Sequence, residues 1–364
     1  MRNLKETAAR FAIEGTIAEI APLGIGLIND TYIVTTAEAE APDYVLQRVN
    51  HKVFPDTEGL RRNIEAVTAH IRAKLTLAGE TDIDRKVLRF IPLADGSSTC
   101  LFDGGEYWRM SVLIPRSRTI EAATPASALD AGKAFGRFQA MLTDLPEPLT
   151  ETIPDFHNME LRLAQLREAV EADPVGRVAE VKPLLDEIES RAEEMCLAER
   201  LHRQGALPKR VCHCDTKVSN MLFDRDSDKV LCVIDLDTVM PSFIFSDFGD
   251  FMRTGANTGL EDDPDTDNVE FDMEIFKAFT KGYLEEASRF LLPAETDNLP
   301  YAAALFPYMQ AVRFLADHIN GDTYYKIQYP GHNLVRARAQ FKLFQSADAR
   351  REEMKAYIDS LLGR

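Results

Sequence analysis

Tryptophan is almost missing from this chain: Trp108 is the only one in 364 residues. Cysteine is scarce as well. The five present are odd in number and follow no pattern, which excludes a disulfide framework and fits a reducing compartment. Basic residues are outnumbered, 42 Lys and Arg against 59 Asp and Glu, for a formal net charge of -17. So acidic a surface repels phosphate backbones and anionic bilayers, and neither nucleic acid nor membrane is expected as a partner. No apolar run approaches a membrane span, and the opening Met-Arg-Asn-Leu-Lys-Glu-Thr lacks a secretory apolar core, so a cytoplasmic location is expected. Low-complexity tracts and repeats are also lacking. What is there is 45% hydrophobic residues, enough to fill two lobes.

The patterns divide unevenly along the chain. Strand-like runs with Gly turns fill the first third, and helical periodicity fills most of the rest. Leu60, Ile64, Val67 and Ile71 share one face of a helix. Tyr107 to Pro115 reads as a strand ended by proline, followed by Arg116. Thr124-Pro125 is an N-cap and an N1 proline opening a helix through about Leu142. Further helices are expected near 160–172, 179–204, 274–290, 301–320 and 333–362, the last broken near Ser346. The acidic run Glu261 to Asp267 reads as an exposed, solvated loop.

The chemistry concentrates between His213 and Asp237. His213, Asp215 and Asn220 keep the spacing of the protein-kinase loop H-R-D-x-x-x-x-N, with Cys214 in the arginine position. Phosphoryl transfer needs a base on the attacking hydroxyl, a cation on the transferred phosphate and oxygen ligands for Mg²⁺. Asp215 supplies the base, Lys217 the cation and Asn220 an amide oxygen, with His213 orienting the loop. The run Met221 to Asp224, a polar turn, and Val230 to Ile234 form a β-hairpin that returns Asp235 toward Asn220 as a second metal ligand. Asp237 is open between a supporting carboxylate, a substrate contact and a solvated strand end. The literal Asp247-Phe248-Gly249 follows what reads as a loop, Pro241 to Ser246, so Asp247 and Asp250 are taken as capping or bracing carboxylates. Cys212-His213-Cys214 alternates in an extended segment, which sets His213 opposite both thiols and argues against zinc.

The segment Val211 to Asn257 resembles the aminoglycoside-phosphotransferase and choline-kinase superfamily. Asp215-Thr-Lys217 and Ile234-Asp-Leu-Asp-Thr238 are most similar to the N-acetylhexosamine 1-kinases. The resemblance implies an α+β, bilobal, protein-kinase-like fold: residues 1–116 as a β-rich nucleotide-covering lobe, and 117–364 as a larger helical lobe for catalysis and substrate. It implies ATP and Mg²⁺ as cofactors and a small-molecule sugar as substrate, phosphorylated on the anomeric hydroxyl of GlcNAc or GalNAc. The family usually has Gly where Cys214 stands; a thiol there is expected to be tolerated and to make the site sensitive to oxidation.

The same resemblance assigns the nucleotide-covering turn to Gly24, Gly26 and Asn29. It places the phosphate-pairing cation at Arg48, with Gln47 on the opposite face, although no lysine occupies the position; Glu65 is open between a partner for Arg48 and a solvated helix glutamate. Backbone groups near Ile114 meet adenine. For the acceptor it points to Arg313 and Tyr325, beside Asp317, which shares a helical face with Arg313. A choline site would need an aromatic cage, and the lone Trp108 lies in the other lobe. The sulfatase signature Cys-or-Ser-x-Pro-x-Arg is absent. The alternatives are a kinase of choline, homoserine or aminoglycoside type, or an inactive nucleotide-binding regulator. Asp215, Asn220 and Asp235 speak against the last, and the missing lysine for it.

Overall fold

The structure is a computed structural model that describes residues 4–24 and 28–364. It is α+β, with a β-sheet N-lobe and a larger helical C-lobe, as expected. The chain forms two units: Met1–Arg118 with Asp144–Pro154 and Met221–Met240, and Thr119–Thr143 with Asp155–Asn220 and Pro241–Arg364.

In the first unit a short helix α1 (Leu4–Ala8) precedes an antiparallel sheet of β1 (Ile17–Pro22), β2 (Asp30–Thr36), β3 (Tyr44–Val49), β4 (Cys100–Asp103) and β5 (Glu106–Val112), in the order β1-β2-β3-β5-β4. Alternation along the strands buries Val34, Tyr44, Leu46, Trp108 and Met110 in one apolar cluster, which is where the lone tryptophan belongs. The other face of β3 carries Val49 toward Leu60 and Ile64 of helix α2 (Thr57–Leu77), which Asp56 caps by accepting from Gly59 N. A short helix α3 (Ile83–Lys86) follows. A second sheet, β6 (Ser117–Arg118), β8 (Met221–Asp224) and β9 (Val230–Val233), contains the expected hairpin, with Met221 opposite Val233.

The second unit is helical: α4 (Pro125–Leu142), α5 (Met159–Ala172), α6 (Val178–Met195), α7 (Leu197–Arg203), α8 (Phe245–Gly255), α9 (Met273–Ala287), α10 (Pro293–Thr296), α11 (Leu299–Ile319), α12 (His332–Asp348) and α13 (Arg351–Leu362). Thr124 and Ser127 form the capping box that starts α4. The single helix expected over 179–204 is two, interrupted at Cys196, and the last helix breaks after Asp348 rather than near Ser346. A short strand β7 (Arg210–Cys212) pairs with β10 (Met240–Ser242), so part of the segment expected to be loop ahead of Asp247 is strand.

Helices α4 and α9 approach until a Cβ on Gly132 would lie 2.1 Å from Phe279 O and one on Gly282 2.1 Å from Leu129 O. Glycine at both positions lets the two backbones touch. The gain is a dry aromatic core of Phe248, Phe276, Phe279 and Tyr283, all 0% exposed, on which the catalytic segment rests. Among the described residues no helix is long and apolar enough to cross a membrane.

Candidate active site

A buried chain of hydrogen bonds runs from that aromatic core to the catalytic loop. Tyr283 donates its hydroxyl to Gln139 Oε1 (2.6 Å), and Gln139 Nε2 donates to Asp247 Oδ2 (2.7 Å). Asp247 then accepts from the backbone of His213 (3.0 Å) and Cys214 (2.8 Å). Thr216 donates its hydroxyl to Asp247 O (2.5 Å) and its amide to Asp250 Oδ2 (3.0 Å). Asp247 and Asp250 are thus braces for the loop, reaching its amides from the first turns of α8. Asp247 is not the cap of its own helix, because the N-cap position is Ile244. Burial raises both carboxyls above their ordinary range, opposed at Asp247 by His213 and at Asp250 by Arg253.

The braces permit an unusual backbone. Cys214 is left-handed at φ 63°, a conformation that costs an L-residue about 1–2 kcal/mol and that glycine adopts freely. Its thiol is buried, and burial pushes its pKa well up, with Asp247 adding to the shift. A thiol of that kind is inert, which corrects the expectation of an oxidation-sensitive site. His213, 0% exposed, is packed edge-on against Phe135 and Phe138, and its Nδ1 accepts from Asp215 N (3.3 Å).

With the loop so held, Asp215 Oδ2 accepts from Lys217 Nζ (3.1 Å) and from Asn220 Nδ2 (2.8 Å). Burial works against its ionisation, but Lys217 and His213 outweigh it and hold the carboxyl below its usual range. Asn220 also donates to Asp215 O (2.8 Å), so its amide nitrogen is engaged and its amide oxygen is the atom left for a cation. In the first unit Asp235 follows the end of β9 in a left-handed conformation, φ 61°, which aspartate tolerates better than most residues. Among the described residues no group of three or more His, Cys, Asp or Glu gathers around a common point. The amide oxygen of Asn220 and the carboxylate of Asp235 are each hard oxygen donors of the kind that Mg²⁺ takes.

The first-unit residues expected to meet the nucleotide differ in their contacts from expectation. Gly24 is left-handed at φ 70° and exposed, whereas Gly26 lies outside the described residues. Asn29 is not left-handed. It is buried, donating Nδ2 to Asp237 Oδ2 (2.6 Å) and accepting from Asn50 N (2.9 Å). Arg48 does not meet Glu65: it pairs with Asp30 and with Glu106 (3.3 Å), while Glu65 binds Arg61 and Thr99. The reason is strand alternation, which puts Arg48 on the Leu46 side of the sheet and α2 on the Val49 side. Ile114 is buried, and its carbonyl accepts from Ser117 Oγ (2.7 Å).

The cation on the inner side is Arg109, which the sequence reading passed over. Opposite Gln47 in the ladder, it donates to Gln47 Oε1 (2.9 Å) and forms a buried ion pair with Asp237. Burial opposes its charge, but Asp237 and then Asp235 hold it above its ordinary value. Asp237 is therefore a buried counterion with both oxygens engaged, not a solvated strand end or a free substrate contact. An arginine between Trp108 and Met110 in an apolar strand was the available signal, since such a residue is rarely buried without a partner.

Of the residues expected at the acceptor, Arg313 lies over the rings of Phe156 (5.4 Å) and Tyr325 (5.6 Å) and donates to Gln310 Oε1 (3.1 Å). Gln310 Nε2 in turn donates to Tyr325 Oη (3.2 Å), and Tyr324 points outward, 67% exposed. Arg313 and Tyr325 are brought together, but Asp317 is not part of the pair. Its carboxylate accepts from the amides of Thr323 (2.9 Å), Tyr324 (2.8 Å) and Tyr325 (3.0 Å) and from Asn333 Nδ2 (2.9 Å), which fills it and makes it the clamp of the turn carrying Tyr325. Nor is the acidic loop simply solvated: Glu261 pairs with Arg253 (2.7 Å), Asp262 meets His332 (2.8 Å) and Asp263 is buried.

The fold recurs in solved structures. A microcompartment-associated aminopropanol kinase shares 16% identity over 97% of this chain and 98% of its own, at a TM-score of 0.59. An amicoumacin kinase bound to AMP-PNP and Ca²⁺ shares 13% identity over 94% and 92%, at 0.59. The Plasmodium vivax ethanolamine kinase shares 14% over 88% and 81%, at 0.52. At such identities the likeness is one of fold. Residues 19–287, well over half of the chain and including the whole catalytic segment, match the phosphotransferase enzyme family, and the chain belongs to that family.

Proposed function

We propose that this chain is an ATP- and Mg²⁺-dependent small-molecule kinase, with the anomeric hydroxyl of an N-acetylhexosamine, GlcNAc or GalNAc, as the leading acceptor. One observation carries the reading: both intramolecular donors to Asp215 use Oδ2, which leaves Oδ1 to receive the proton of an acceptor hydroxyl. A carboxylate held ionised is a weak base, and a weak base suffices where the transition state is loose and catalysis is mostly positioning and charge. Lys217 neutralises charge on the transferred phosphoryl group. Asn220 and Asp235 hold the metal, which supplies charge neutralisation at the phosphates. Arg313 and Tyr325 bind the acceptor.

The test is ATP consumption over a panel of acetamido sugars, choline, ethanolamine, homoserine and an aminoglycoside. The expected result is turnover of GlcNAc or GalNAc to a product that no longer behaves as a reducing sugar. Phosphate at C6 would leave that reactivity intact and refute the anomeric assignment. Turnover of choline alone would refute the sugar assignment.

A further inference from the structure

For a chain of net charge -17, the surroundings of Phe156 are unexpectedly basic. Arg162 on α5 donates to Phe156 O (2.6 Å), Asp155 O (3.1 Å) and Gln165 Oε1 (2.9 Å), all neutral acceptors. Arg313 sits over the Phe156 ring and also bonds only a neutral group, Gln310. Among the described residues, neither guanidinium has a carboxylate within ion-pair distance, although most other arginines of the chain do. Asp155 acts on Arg162 only weakly and accepts from Asn158 Nδ2 (3.0 Å), while Asp317 is committed to the 323–325 turn and Glu261 to Arg253. Burial and then the neighbouring Arg313 bring Arg162 down to about 10, against a smaller opposing pull from Tyr325, Tyr324 and Asp155. His157, stacked on Phe156 (4.2 Å), adds no charge: burial and then Arg313 hold its pKa well below the ordinary value.

Two half-buried guanidinium groups beside Phe156, Arg313 over its ring and Arg162 on its carbonyl, with no ion-paired carboxylate among the described residues, are costly to keep in an apoprotein, and a planar anion would satisfy both. The cluster lies in the same unit as the base. Asp250, which holds Thr216 beside Asp215, also pairs with Arg253, whose charge acts on His157.

We propose that the acceptor carries an anionic group, a carboxylate or a phosphate, bound between Arg162 and Arg313 beside Phe156 and Tyr325. This rests on the reading that Arg313 and Tyr325 face the acceptor, and it narrows the substrate class to acidic hydroxyl compounds. The same charges repel quaternary and primary ammonium groups, so choline, ethanolamine and aminoglycosides are disfavoured by repulsion as well as by the lack of an attractive partner.

The experiment compares GlcNAc with N-acetylmuramic acid and glucuronic acid as carboxylates, GlcNAc 6-phosphate as the phosphate, and glucosamine and choline as cations. At least one acid is expected to show a higher kcat/KM than GlcNAc, falling with added salt. Arg162→Gln should raise KM for that acid by about tenfold or more while KM for ATP moves less than about twofold, the size of one lost charge-assisted hydrogen bond. Arg162→Lys should recover part of the loss. Which acid is used separates carboxylate from phosphate. Turnover of GlcNAc with no acid accepted overturns the anionic acceptor and leaves the sugar-kinase reading standing. Turnover of the cations alone overturns both. Should no panel member react, binding of the acids by calorimetry decides: salt-sensitive binding that Arg162→Gln and Arg313→Lys both weaken supports the proposal, and its absence overturns it.

Discussion

Arg109 in the first unit and Arg313 in the second are both arginines set over an aromatic ring, Phe90 at 5.6 Å and Phe156 at 5.4 Å, yet they live in opposite electrostatic regimes. Arg109 is buried with Asp237, which in turn holds Asn29, so its charge is spent inside the protein. Arg313 and its neighbour Arg162 have only neutral hydrogen-bond acceptors. A closed ion pair orders β5 against the turn after β9. The open pair of cations is where the proposal places the acceptor's anion. The difference teaches where to look for structure and where to look for substrate.

The largest expected effect lies outside both arginines and calibrates them. Asp215→Asn should lower kcat by about 10² to 10⁴ with the melting temperature and ATP binding nearly unchanged; wild-type turnover would remove Asp215 from the role of base. Next, Arg109→Leu leaves Asp237 buried and unpaired, and should cost about 3–5 kcal/mol in chemical denaturation. Arg313→Gln should cost less than about 0.5 kcal/mol and act on the acceptor's KM instead. Equal losses of stability would erase the distinction between the closed and open pairs.

The two aspartate segments sharpen the same contrast. Asp247→Ala strips the acceptor from two buried amides and from Gln139, and should lower stability by about 3 kcal/mol or more, seen as a fall in melting temperature with turnover lost alongside. Asp235→Asn should leave the melting temperature within a few degrees and abolish metal-dependent turnover; the reverse pattern would exchange their roles. The smallest effect concerns Cys214. Iodoacetamide should leave this thiol unmodified in the native protein and the activity unchanged, and Cys214→Gly should shift stability by no more than about 1 kcal/mol, because relief of left-handed strain offsets the lost burial. Rapid native labelling of Cys214 would contradict its burial.

Spacing and periodicity carried much of the molecule. The loop from His213 to Asn220, the hairpin after it, the capped start of α4 and the glycine-tolerant Cys214 are local features, and local rules of turn, cap and strand find them. The pairings across long sequence separations were not readable in this way. A pairing of Arg48 with Glu65 is open from the sequence, but strand alternation puts Arg48 on the face of the sheet away from α2. Asp317 looked like a ligand because it stands four residues from Arg313, yet the chain turns back at 323–325 and fills its oxygens with amides.

By itself the sequence determined the class of fold, the phosphotransferase family and the charge balance, because each is a property of residue type and short-range spacing. Only the tertiary structure decided which charges are closed and which are open. Asp237 closes on Arg109 and Asp247 on the amides of residues 213 and 214, whereas Arg162 and Arg313 have no carboxylate within ion-pair distance among the described residues. Whether an ionisable group is a brace or a binding site depends on which partner arrives within hydrogen-bond reach, and that is settled by packing between residues tens to hundreds of positions apart.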